Sequence, residues 1–95
     1  MLRRSRKFMN MSEKTSELIL DVISPERTLI HTVVDSVELP GTKGRFEVLK
    51  DHAALISSLE KGQVTYRTGE KTESVDISSG FVEINDNHVV ACVEL

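Results

Sequence analysis

Much of what small domains use to cross-link, anchor or catalyse is scarce in this sequence. Of 95 residues, one is cysteine, two are proline, none is tryptophan, and aromatic residues make up 4%. A lone Cys92 cannot close an intramolecular disulfide, and no Cys/His pair stands at zinc-ligand spacing. Both facts argue against a cross-linked secreted scaffold and for a reducing, cytoplasmic setting. No apolar run approaches the roughly 18–20 residues that a membrane helix needs, which excludes a spanning helix.

Positive charge is short too, outside the first ten residues. Arg3, Arg4, Arg6 and Lys7 stand there without an acid, whereas residues 11–95 hold eight basic against fifteen acidic residues, a net of −7. An acidic body argues against nucleic acid as a partner, because phosphate binding needs a basic surface. The start "MLRRSRKFMNMSEKTSE" has no apolar stretch behind its charges, so it is not a secretory signal. Residues 1–17 read as a disordered basic tail or as the product of a start codon placed too early, since Met9 and Met11 could each open a chain whose fold begins at Leu18.

What is present from Leu18 onward is period two. In "ELILDVIS" Leu18, Leu20 and Val22 fall on one face, and Ile19 and Ile23 on the other with Asp21 among them, as in a strand of a packed sheet. "SPERT" is a turn with Pro25 fixing its backbone. "LIHTVVDSVELP" is too long for one straight strand, and the doubled Val33-Val34 predicts a bulge or corner that splits it. "PGTKG" predicts an exposed loop ending that strand and feeding a short one, "RFEVL", with Phe46 and Val48 inward.

"HAALISSLEKG" is ambiguous; Gly62 follows so soon that a short strand or irregular chain is favoured over a helix. "QVTYRT" and "ESVDIS" flank "GEK" as a hairpin, and "FVEI" and "HVVACVEL" flank "NDN" as another. Short strands with turn signals every several residues describe an all-β sandwich or flattened barrel, one domain over residues 18–95.

Chemistry is hard to find on this scaffold. His31, His52 and His88 are scattered, with no His-x-His pair such as a barrel metal site would show, so a metal enzyme would have to assemble its ligands by folding alone. Cys92 lies between valines and reads as a small packed hydrophobe. Glu83 with Asp86, and Glu70 with Glu73, bracket turns, where solvated charge keeps strand edges soluble. Gly41 and Gly44 open a strand and not a helix, so they form no phosphate cradle. These observations leave a loop-bearing sandwich that binds partners, with a small-ligand or carbohydrate module as the alternative. The alternative would need an aromatic platform, and only Phe8, Phe46, Tyr66 and Phe81 are available for one.

The order of the motifs says more than any of them singly. "LPGTKGRFEVLKDHAALISSLEKGQV", then "SSGFVEINDNHVVACV", with "LDVISPE" ahead of both, resembles the amino-terminal domain of the epsilon subunit of F-type ATP synthases, called delta in mitochondria. The resemblance runs from about Leu18 to Val93. It departs from the family pattern at Glu47, at His52-Ala53-Ala54 and at Lys61-Gly62.

The resemblance implies a β-sandwich of about ten strands at the foot of the rotating central stalk. One side would dock on the gamma subunit, and a loop edge would rest on the membrane-embedded ring of c subunits. It places Lys43, Gly44, Arg45 and Phe46 at the ring-facing edge, and Ser24, His52 and Ser57 on the gamma side. It further implies a non-catalytic subunit without cofactor or metal, monomeric in isolation, that meets the membrane only through its complex. That complex would sit on the cytoplasmic face of a bacterial inner membrane. Most relatives continue into a helical hairpin, whereas this sequence ends at Leu95, so neither hairpin-borne inhibition nor ATP sensing is expected of it.

Overall fold

The computed structural model describes residues 17–95; the expectations for residues 1–16 lie outside that range. Nine strands follow one another: β1 Leu18–Ile23, β2 Thr28–Val34, β3 Ser36–Gly41, β4 Gly44–Leu49, β5 Leu55–Leu59, β6 Gly62–Thr68, β7 Lys71–Ile77, β8 Ser79–Asn85 and β9 His88–Glu94. The described residues contain no helix. Nine strands agree with the roughly ten that the resemblance implies. Strands of five to seven residues and two-residue turns at Thr42-Lys43, Gly69-Glu70 and Asp86-Asn87 fill the available chain with nine.

Hydrogen bonding links the strands in the order β2-β1-β9-β8-β5-β3-β6-β7, with β4 on the other side of β3. The order curls at one corner. Both β5 and β6 pair with β3, but β5 does so only at Gly41↔Leu59, whereas β6 pairs along Ser36–Glu38. The chain from β5 to β6 therefore passes from one layer, β2-β1-β9-β8-β5, into a second, β4-β3-β6-β7. Glu60 N donates to Pro40 O (2.9 Å) and Thr42 N to Ser58 O (3.1 Å), which stitches the corner.

The alternation decides what lies between the layers. Leu18, Leu20 and Val22 of β1, Val89, Ala91 and Val93 of β9, and Val82 and Ile84 of β8 are buried from one side. Val37, Leu39, Val48, Val64, Tyr66 and Ile77 meet them from the other, in a single cluster. Tyr66 keeps its hydroxyl satisfied by donating to Glu73 Oε1 at 2.9 Å. Burial, then the neighbouring carboxylate, push its phenol above the ordinary value.

β1 and β9 run parallel, joining the two ends of the domain in one layer. Gly80, in β8 opposite Val93, is needed for close approach, since a Cβ there would lie 2.5 Å from Cys92 O and 3.0 Å from Val93 Cα.

Two local expectations shift. The long β-rich run does split, but at Asp35, one residue past Val34, and the register slip falls instead between Val22 and Ile23 of β1. Asp35 makes the corner by donating its N–H to Arg67 O (2.7 Å) and accepting from Gly69 N (2.7 Å). Pro40 and Gly41 do not end their strand; they complete β3, and the turn is Thr42-Lys43 alone. Pro40 is accommodated where β3 passes from one neighbour to the next, with its carbonyl taken up by Glu60. Elsewhere the alternation and the two late hairpins lie as expected, and "HAALISSLEKG" holds a short strand.

Candidate functional site

The outward side of the first layer follows from register, because residues opposite each other in neighbouring strands point the same way. Three rows cross it. The first holds Val33, Ile19, His88 and Asn85; the second His31, Asp21, Val90, Glu83 and Ile56; the third Ile23, Cys92, Phe81 and Ser58. Ile56 is 72% exposed, Phe81 53% and Val33 44%. On the outside of the second layer Leu49 is the exposed large apolar side chain, so the first layer carries more of such surface, the kind that partners cover.

The polar groups of that face gather at its middle. His31 on β2 and His88 on β9 flank Asp21 on β1. An ionised carboxylate only accepts, so the His31 Nδ1–H donates to Oδ1 and the His88 Nε2–H donates to Oδ2, the latter at 2.5 Å. The two imidazoles shield the carboxylate: the Asp21 side chain is 14% exposed, while those of His31 and His88 are 70% and 47% exposed. Burial alone raises the carboxyl's pKa. The hydrogen bonds from His88 and His31, and the charge those rings carry when protonated, outweigh it and hold Asp21 below the usual carboxylate range. No group of three His, Cys, Asp or Glu residues suited to a metal ion occurs among the described residues.

The sequence-assigned residues distribute as follows. Lys43 lies exposed in the β3–β4 turn, and Gly44 next to it has φ 131°, a conformation that L side chains rarely adopt. Arg45 and Phe46, being consecutive in β4, point to opposite sides. Phe46 is half-buried against the core opposite Leu39, whereas Arg45 spreads over the outside of the second layer. There its guanidinium donates to Glu38 Oε1 (3.1 Å), Gln63 O (2.8 Å) and Thr65 Oγ1 (3.1 Å).

Ser24, His52 and Ser57 share no single cavity. Ser24 is buried in the β1–β2 turn, its hydroxyl donating to Arg27 O (3.2 Å), and it lines a groove with Phe81 and Cys92. His52 is half-buried at the opposite end of the strands, and its Nδ1–H donates to Ala53 O (2.7 Å), as a turn histidine would. The turn that carries it is tied to the β8–β9 turn: Asn87 Oδ1 accepts from Asp51 N and Asn87 Nδ2 donates to Asp51 Oδ1. Ser57 lies in β5 beside the Lys43 hairpin, lining one groove with Lys43 and Phe46. An expected ring-edge segment and an expected gamma-side residue thus become neighbours.

Sequence reasoning missed the Asp21 cluster. His31 and His88 stood apart in the chain, and the parallel pairing of β1 with β9 that unites them leaves no local signal.

A two-layer sandwich with Ile56, Phe81 and Val33 exposed on the outside of its first layer, and a carboxylate held by two imidazoles in the middle of that face, is a domain of the all-β class. Residues 17–94 match the sequence profile described as ATP synthase, delta/epsilon chain, beta-sandwich domain, and the chain belongs to that family. An ATP synthase epsilon chain of Leptospira borgpetersenii serovar Hardjo-bovis is 41% identical over 73 residues, covering 77% of this chain and 58% of that one. One of Nitratidesulfovibrio vulgaris is 36% identical over 77 residues, 81% of this chain and 58% of that one. The chain therefore spans somewhat over half the length of these relatives.

Solved structures agree on the fold. A chain of the Euglena gracilis mitochondrial ATP synthase, in a structure of OSCP, F1 and the c-ring, superposes with a TM-score of 0.78 at 20% identity. The match covers 90% of this chain and 56% of that one. A chain of the Tetrahymena thermophila mitochondrial enzyme, from its central stalk and c-ring, gives a TM-score of 0.75 at 12% identity, covering 87% and 67%.

Proposed function

We propose that this chain serves as the sandwich domain of a central-stalk rotor subunit in a proton-translocating F-type ATP synthase, joining the gamma subunit to the ring of c subunits and coupling rotation to ATP synthesis. The observation that carries this is the apolar outer face of the first layer, Ile56, Phe81 and Val33 above all, on a domain whose relatives are epsilon chains. Gamma covers that face. The Lys43 hairpin, at the tip of β3 and β4, is the edge turned to the ring, with Lys43 and Gly44 at its apex and Arg45 and Phe46 as its anchors.

In this role the subunit is non-catalytic: it transmits torque by shape and holds no substrate. It has no nucleic-acid partner, is a monomer alone, and meets the membrane through the complex, at the cytoplasmic face of a bacterial inner membrane. The test is to mix the purified chain with gamma and follow size-exclusion elution. Co-elution supports the assignment, and persistent separate elution overturns it.

A further inference from the structure

We propose that the Asp21–His31–His88 cluster makes docking on the apolar face proton-linked, the partner binding the form in which no more than one imidazole is charged and leaving as the second takes up a proton. This inference rests on the gamma docking proposed above and adds a property that the docking alone does not imply.

The reason is a mismatch in number at a place about to lose its water. One carboxylate stands between two imidazoles, bonded to each through a different oxygen. With both rings neutral the cluster carries a single negative charge that accepts two N–H bonds and is already shielded. With both protonated it carries a net positive charge, and Asp21 compensates one imidazolium while the other is left over.

In the free domain that surplus costs little, because the His31 and His88 side chains are largely in water. A partner laid across Val33, Ile19, Val90 and Ile56 removes that water, and an uncompensated cation at an apolar interface is expensive to bury. Each ring uses one nitrogen on Asp21. The other is a bare acceptor in the neutral ring and becomes a donor on protonation, so the hydrogen bonding offered to the partner inverts as well.

The neighbours do not absorb the surplus charge fully. Among the described residues, the strands flanking the cluster bring Glu83 from β8 onto the same face, with Asp86 on the rim of the groove beside His88, Glu94 beyond the third row, and Glu17, Asp35 and Lys50 around Val33 at the other end. On β2 the face carries no charged side chain besides His31, and Arg27 and Glu26 lie past its end in the β1–β2 turn. Glu83 is separated from Asp21 by Val90, so it shares the face without touching the cluster. No lysine or arginine stands in the three rows.

Imidazole changes charge between pH 5 and 8. Excluding one imidazole proton from the complex weakens binding by up to about tenfold from pH 7.5 to 5.5.

The experiment measures affinity of the full chain for purified gamma at pH 7.5 and 5.5, with calorimetry in buffers of different ionisation enthalpy to count protons. The wild-type chain should bind about tenfold more weakly at pH 5.5 and release up to about one proton on docking at that pH. The double variant His31→Asn with His88→Gln keeps an amide N–H for each Asp21 oxygen but cannot charge; whatever its affinity at pH 7.5, that affinity should change less than about threefold by pH 5.5. Wild type and variant losing affinity equally overturns the inference by assigning the protons to gamma, and so does wild-type docking with no proton released. The proton count needs only the wild-type chain, so a variant that fails to fold leaves the inference testable. Absence of binding by wild type at pH 7.5 overturns the docking proposal itself, a different failure from a pH-independent complex.

Discussion

The two layers share a core and differ in what they do with their outer faces. On the second layer, Arg45 reaches Glu38, Gln63 O and Thr65, Thr65 meets Ser74 at 2.9 Å, and Gln63 Nε2 donates to Asp76 at 2.9 Å. Polar groups there are satisfied sideways, strand to strand, and covering them would return little. On the first layer the lateral bonding is that of Asp21 with its two histidines and, at the edge, of Ser58 with Thr42 (2.8 Å), and the surroundings are Ile19, Ile23, Val33, Phe81 and Ile56. Each Å² of that surface taken from water contributes about 25 cal/mol. One side of the domain, Leu49 apart, satisfies its own polar groups, and the other is the side on which the proposed docking would bury apolar surface.

Substitutions on the two faces should therefore fail in different ways. The largest effect is expected from replacing Phe81 and Ile56 together by Ala. Affinity for gamma should fall at least about a hundredfold while stability moves by less than about 1 kcal/mol, measured by binding titration beside urea unfolding. Loss of stability instead would mean that these side chains belong to the core and the contrast is false.

Next comes Phe46→Ala, which removes a half-buried ring packed on the core beneath the hairpin. It should cost about 2–3 kcal/mol in unfolding free energy, short of a fully buried ring, with binding to gamma spared once the protein is folded.

Arg45→Ala tests the polar face. It should cost about 1 kcal/mol of stability through three lost hydrogen bonds, without change in gamma affinity. A clear binding defect there would place a partner on both faces.

The smallest effect concerns acid. Because the folded-state pKa of Asp21 is depressed, its contribution to stability is present above the unfolded carboxylate value and is lost as pH falls through the folded one. The stability difference between wild type and Asp21→Asn should accordingly shrink as unfolding is measured from pH 5 down to pH 2. A difference that grows over that range would contradict the geometry around Asp21.

Sequence alone carried the fold class far. The alternation in "LILDVI" and "VVACV", the Asn-Asp-Asn turn and the glycine-marked hairpins dictate strands, their facing and their ends, because steric and burial rules act within a few residues. Phe46 and Val48 could be placed inward on the same grounds, and Val48 is fully buried. The position of the strand break, Asp35 and not Val34, depends on Arg67 and Gly69 more than thirty residues away. Likewise Pro40 remains in β3 because Glu60 supplies its partner.

The candidate site was the less legible half, for the same physical reason. Ile56, Phe81, Val33 and the Asp21 cluster become one surface only when β1 pairs with β9 in parallel and β8 lies between β9 and β5. Periodicity along a strand determines which side chains turn outward, since backbone geometry alone fixes that. Which strands lie side by side, and hence that His88 shares a carboxylate with His31, was decided by the closing of the whole core. Hydrogen bonding across a sheet is blind to distance along the chain.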